Sequence, residues 1–106
     1  SQFGTDMRGN RCQGSVATTP DHQMTLNESF SYLQLWTLAD GDTTLIVDGP
    51  GKFLLCDDDG GMGLNEHIEY TNWPAGDYQI YVGSYSDDYL NYQLSISELA
   101  SEGPSR

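Results

Sequence analysis

Basic residues are scarce in this chain: 4 Lys and Arg stand against 16 Asp and Glu, a net charge of -12 over 106 residues. A surface that tracks phosphates needs cationic side chains, so nucleic acid is not an expected partner. Long apolar runs are missing as well; no window approaches the roughly 20 apolar residues of a membrane-spanning helix, and no membrane insertion is expected. Nor does any segment sustain a 3.6-residue apolar period, so helix is incidental. Cysteine is limited to Cys12 and Cys56, without the CxxC or Cys/His spacings of a zinc or redox site. A single disulfide is therefore favoured over the metal reading. Such a bond stabilises by about 4 kcal/mol through loop closure and needs an oxidising compartment: periplasm, cell surface or secretion. The chain opens on Ser1-Gln2-Phe3-Gly4, not on a charged start followed by an apolar stretch, and so reads as a processed form or an excised domain.

What the chain does contain is short alternating segments punctuated by Gly, Pro, Asp and Asn. Asp77 to Gly83 places Tyr78, Ile80 and Val82 on one side and Gln79 and Tyr81 on the other. Asn91 to Ser97 alternates strictly, with Tyr92, Leu94 and Ile96 inward, and the spacing predicts a hairpin between these two strands through Ser84 to Tyr89. A second hairpin is predicted for Thr43 to Val47 and Lys52 to Cys56, around the turn Asp48-Gly49-Pro50-Gly51. Phe30 to Leu38 is apolar on both faces and reads as a central strand, with Trp36 assigned to the core; Gly14 to Thr18, Met24 to Asn27 and His67 to Tyr70 are shorter strands. Seven or eight strands at this spacing suggest an all-β fold, an antiparallel β-sandwich over residues 1–99, although a small closed barrel gives nearly the same pattern, with 100–106 as a polar, flexible C-terminal tail.

Negative charge is concentrated between Asp40 and Asp88, where Lys52 is the one cation. Asp57, Asp58 and Asp59 are adjacent on a Gly-rich loop and repel one another unless a cation or solvent screens them. Calcium, with six to eight oxygen ligands in tolerant geometry, could draw on these acids together with Asn65, Glu66, Asp40 and Asp42. The register is not that of an EF-hand, and a solvated, solubilising loop explains the same residues equally well. Tyr81, Tyr85 and Tyr89 form a candidate exposed contact surface for a protein or a polysaccharide. Neither His22 nor His67 sits in a catalytic arrangement, and no serine lies in an activating turn, so a small hydrolase is the distant alternative to a binding module.

Three stretches taken together, Asp42 to Gly51, Cys56-Asp57-Asp58-Asp59 and Pro74-Ala75-Gly76-Asp77-Tyr78-Gln79-Ile80-Tyr81-Val82-Gly83, resemble the bacterial pre-peptidase C-terminal domain over residues 40–98. Cys12, Cys56 and the Pro20-Asp21 step are similar to those of a disulfide-bearing subgroup in exported bacterial proteins. The resemblance implies a jelly-roll-like sandwich without catalysis of its own. Such a domain is appended to a parent exported enzyme, or serves as a small subunit, and assists secretion, targeting or substrate attachment. Collagen-binding relatives hold calcium.

Overall fold

The computed structural model describes residues 4–12, 20–39, 43–57, 66–84, 92–99 and 101. Wherever the alternating segments fall within them, they form strands: β1 (His22–Leu26), β2 (Phe30–Ala39), β3 (Thr43–Asp48), β4 (Leu54–Asp57), β5 (His67–Trp73), β6 (Gly76–Ser84) and β7 (Tyr92–Ser97). They pair antiparallel in two sheets, one of four strands in the order β1-β6-β3-β4 and one of three in the order β5-β2-β7. This is an antiparallel β-sandwich. The candidate strand Gly14 to Thr18 and the end of the tail, 102–106, lie outside the described residues.

The core is the side chains that the two sheets turn toward each other. Leu45, Val47, Leu55, Tyr78 and Ile80 from the larger sheet meet Leu33, Leu35, Ile68 and Trp73 from the smaller one. At one end an aromatic cluster closes it: the Phe53 ring lies 4.8 Å from Trp73 and 5.3 Å from Tyr78, centroid to centroid. The polar tips of this cluster are satisfied locally, Tyr78 Oη donating to the Pro74 carbonyl at 2.6 Å and Trp73 Nε1 to the Tyr70 carbonyl at 2.7 Å. Among the described residues, Asn72, at φ 63°, is the non-glycine residue with a left-handed backbone. Asn tolerates that conformation better than most residues. It breaks the alternation of β5, so that Trp73 joins Ile68 in the core.

The turn after β3 and the start of β6 are one packing unit. A Cβ on Gly49 would lie 2.5 Å from Tyr78 Cε2, and a Cβ on Gly76, at φ 141°, would lie 3.1 Å from Pro50 Cγ. Two stretches that carry the family resemblance are therefore tied to each other by a scaffold requirement: glycine is where the turn and the strand touch.

Two expectations need correction. β6 and β7 do not form a hairpin: β6 is central in the larger sheet, between β1 and β3, while β7 pairs with β2 in the smaller one. Both strands offer an apolar alternate row, and that pattern cannot tell a hydrogen-bonded neighbour from a strand across the core. Both edges of β6 are taken, by β1 and by β3, so β7 meets it across the core and not along a hydrogen-bonded edge. Ile96, expected inside, is on the core-facing side opposite Leu35 yet remains 44% exposed, because β7 is at the edge of its sheet.

Candidate functional site: the outer faces of the two sheets

Each sheet has a second face turned away from the shared core, and the two are treated differently. On the larger sheet, Ile46, Leu54, Cys56 and Tyr81 point outward and are covered by the N-terminal segment 4–12. Cys12 and Cys56 form a disulfide with Cα atoms 5.5 Å apart, and together with Ile46 and Tyr81 they make a second small core. Asp6 organises the covering segment. Its buried carboxylate accepts from the backbone N–H of Arg8 and of Asn10, both at 2.9 Å, and of Cys56 at 3.1 Å, while the Arg8 guanidinium lies 3.4 Å away and also donates to the Cys56 carbonyl. A buried charge persists when it is paired and fully hydrogen-bonded in this way.

This arrangement corrects the reading of Tyr81 as an exposed contact. Tyr81 is 4% exposed, its hydroxyl donates to Gln79 Oε1 at 3.2 Å, and its pKa is raised, by burial first and then by the charges of Asp48 and Asp21. Tyr85 and Tyr89 lie outside the described residues.

Among the described residues, the outer face of the smaller sheet is crossed only by the segment after β7, which buries Gln34 and Ser97 and leaves Leu38 exposed. The register aligns Tyr32 with Thr71, Gln34 with Glu69 and Ser97, Trp36 with His67 and Ser95, and Leu38 with Gln93. Trp36, expected in the core, is half-buried on this outer face, and Leu38, two residues on, is 45% exposed. Past the end of β7 the chain turns over the same face, where the Leu99 carbonyl accepts from Gln34 Nε2 at 2.8 Å and its side chain is 52% exposed. That bond fixes the Gln34 amide, so Oε1 is the acceptor toward His67 Nε2 at 2.8 Å, and His67 carries its proton on that nitrogen. Gln34 is thereby held almost wholly buried, with 1% exposure. Beside it, Tyr32 Oη donates to Glu69 Oε2 at 2.8 Å; burial, then the Glu69 bond and charge, push the Tyr32 pKa up to about 12. Along the central strand the outward residues are Tyr32, Gln34, Trp36 and Leu38, with the Leu99 backbone held over Gln34 and with hydroxyl, amide and carboxylate side chains beside them.

The acidic loop is described only at its ends. Asp40, Asp42, Asp58, Asp59 and Asn65 lie outside the described residues. The Asp57 carboxylate accepts from the backbone N–H of His67. Glu66, 1% exposed, is tied to β2 by Thr37 N–H donating to its carbonyl at 3.0 Å and by its own N–H donating to Thr37 Oγ1 at 3.2 Å. Among the described residues no group of three or more His, Cys, Asp or Glu side chains is gathered as a metal-ligand set. The histidines are engaged elsewhere: His22 Nε2 lies 2.9 Å from Tyr92 Oη, linking β1 to β7 across the two sheets, and His67 meets Gln34. A shallow groove of about 610 Å³ lies at the end of β2 and β5, lined by Ser29, Phe30, Ser31, Asn72, Trp73 and Pro74, none of them ionisable.

Sequence reasoning missed Trp36 and Leu38 as surface residues. Alternation in β2 did not reveal them, because the outward row holds Gln34 between Tyr32 and Trp36 while the inward row holds Ser31 and Thr37 beside Leu33 and Leu35.

The fold and this site define a small β-sandwich with one outer face covered by a disulfide-linked segment and the other, among the described residues, only partly covered. An uncharacterized protein of Synechococcus elongatus is 35% identical over 89 residues, covering 79% of this chain and 63% of that protein, so the chain spans less than two thirds of its length. No family model matches the chain, and no solved structure matches it.

Proposed function

We propose that this chain is a non-catalytic accessory or binding domain of an exported bacterial protein, of the pre-peptidase C-terminal type, which docks on a protein partner through the outer face of β5-β2-β7. The observation that carries the reading is Trp36 and the exposed Leu38 on a sheet face turned away from the core, with the exposed Leu99 in the segment that crosses that face, while the equivalent face of the other sheet is covered. An apolar centre with a polar rim is the anatomy of a recognition surface. The disulfide fits an oxidising compartment, hence secretion, the cell surface or the periplasm. The absence of catalysis is supported by the two histidines, each occupied by a tyrosine or glutamine that gives it a structural role. Replacing Leu38 and Leu99 together by Asp is expected to abolish co-purification with the native partner at an unchanged melting temperature; intact assembly rejects the reading.

The uncharged groove at Ser29, Ser31 and Asn72 favours a second reading, a carbohydrate-binding module, since hydroxyl and amide side chains suit a neutral sugar. A glycan array without hits rejects it. Calcium ordering of the loop between Asp57 and Glu66 belongs to the same proposal and would stabilise the fold by linkage. A melting temperature identical in excess calcium and in excess chelator removes it.

A further inference from the structure

Charge is distributed unevenly between the two outer faces. Among the described residues the cations are Arg8 and Arg11, in the segment covering the larger sheet, and Lys52, in the β3–β4 turn. On the outer face of the smaller sheet Glu69 of β5 aligns with Gln34, and Glu98 follows directly after β7. Among the described residues, Glu69 is therefore the charged group on the face that carries Trp36 and Leu38, on a chain whose net charge is -12. A partner that covers Trp36 and Leu38 has to supply apolar side chains, and the groups that lower its electrostatic cost of approach are cationic.

The nature of these side chains separates the possible occupants. Sugar rings stack on aromatic faces and gain little from leucine, yet Leu38 and Leu99 are exposed here while Trp36 is half-buried. Aliphatic side chains at 45% and 52% exposure are the ones a protein surface would cover. We infer that the outer face of the smaller sheet takes a protein segment presenting an apolar row flanked by Lys or Arg. This rests on the reading of the chain as a binding domain and adds the chemistry of its partner.

The test uses three synthetic amphipathic peptides of equal leucine content, whose polar positions are all Lys, all Glu or all Ser, titrated into the full chain and followed by NMR. The indole N–H of Trp36 is the reporter, assigned by Trp36→Phe. The indole N–H of Trp73, fully buried and bonded to the Tyr70 carbonyl, is the internal control. The expected result is that the Lys peptide moves the Trp36 signal and the backbone signals of Gln93, Ser95 and Ser97 while Trp73 stays fixed. Leu38→Ser with Leu99→Ser should then weaken binding roughly tenfold. Glu69→Gln with Glu98→Gln should weaken it and flatten its salt dependence. If the Ser or Glu peptide binds this face as tightly as the Lys peptide, the charge inference is overturned and the binding-domain reading survives. A Lys peptide whose contacts map to residues 4–12, or whose affinity ignores the leucine variants, also overturns the inference, since general attraction to an acidic chain then explains it. If no peptide moves Trp36, or if cello-oligosaccharides move it instead, both the inference and the protein-docking reading fall.

Discussion

The outer faces of the two sheets start from similar sequence and end in opposite environments. β3 and β6 turn Ile46 and Tyr81 outward, β2 turns Trp36 and Leu38 outward, and all four are large apolar or aromatic side chains on strands that are also apolar inside. Ile46 and Tyr81 are dry because residues 4–12 lie on them, fixed by the disulfide and by the Asp6 carboxylate; Leu38 is 45% exposed. Hydrophobic surface on a strand therefore carries two meanings in this molecule. Covered from within the chain it contributes stability, on the order of 1.5–3 kcal/mol per large side chain, and uncovered it is available to another molecule.

The sharpest way to break the comparison is to unseal the sealed face. Cys12→Ser with Cys56→Ser is expected to cost about 4 kcal/mol in urea denaturation, from loop closure over the 44-residue separation, and to give the larger sheet a dye-binding apolar face it does not have in the native protein. A native-like midpoint for the double variant would show that the covering segment holds without the bond. Next is Asp6→Ala, which leaves three backbone N–H groups and the Arg8 guanidinium without their acceptor and is expected to cost roughly 2–3 kcal/mol in the same measurement.

Alkaline titration probes both faces at once. The folded-state pKa of Tyr32 is about 12, above its unfolded value of 10.0, so its contribution to stability is complete below pH 10 and is lost as pH rises toward 12, where the unfolded chain gives up the proton first. Tyr81 on the sealed face is shifted in the same direction. Tyr32→Phe should therefore reduce the loss of stability above pH 10, and a stability profile identical to that of the parent chain would show that the Tyr32–Glu69 pair is not formed in solution. The smallest effect is expected on the partly covered face itself: Leu38→Ser and Leu99→Ser should each shift stability by no more than about 0.5 kcal/mol, because little contact is lost. A loss several times larger would mean that this face is covered in the isolated chain, and the contrast between the two sheets would fail.

Much of the architecture is legible in the residues. The β3–β4 hairpin, the central position of β2 and the Cys12–Cys56 bond each follow from a local rule: a Pro-Gly turn between alternating runs, a strand apolar on both faces, a solitary cysteine pair. The partner of β7 does not, because Tyr92, Leu94 and Ile96 advertise an inward face without saying which strand supplies the hydrogen bonds. Of the candidate site residues, Cys12 and Cys56 are where the sequence suggests and Tyr81 is inside. Trp36 has the reverse history, assigned to the core and found half-buried in the outward row of β2.

The sequence by itself determined the strands, the turn that needs Gly49, the acidity and the sulfur pair, since each depends on neighbouring residues or on composition. Only the tertiary structure decided which apolar faces are covered. Whether Tyr81 or Trp36 sees water depends on where a segment distant along the chain comes to rest. Residues 4–12 settle on the larger sheet, held by contacts between Asp6, Cys12 and Cys56 that alternation along a single strand cannot encode.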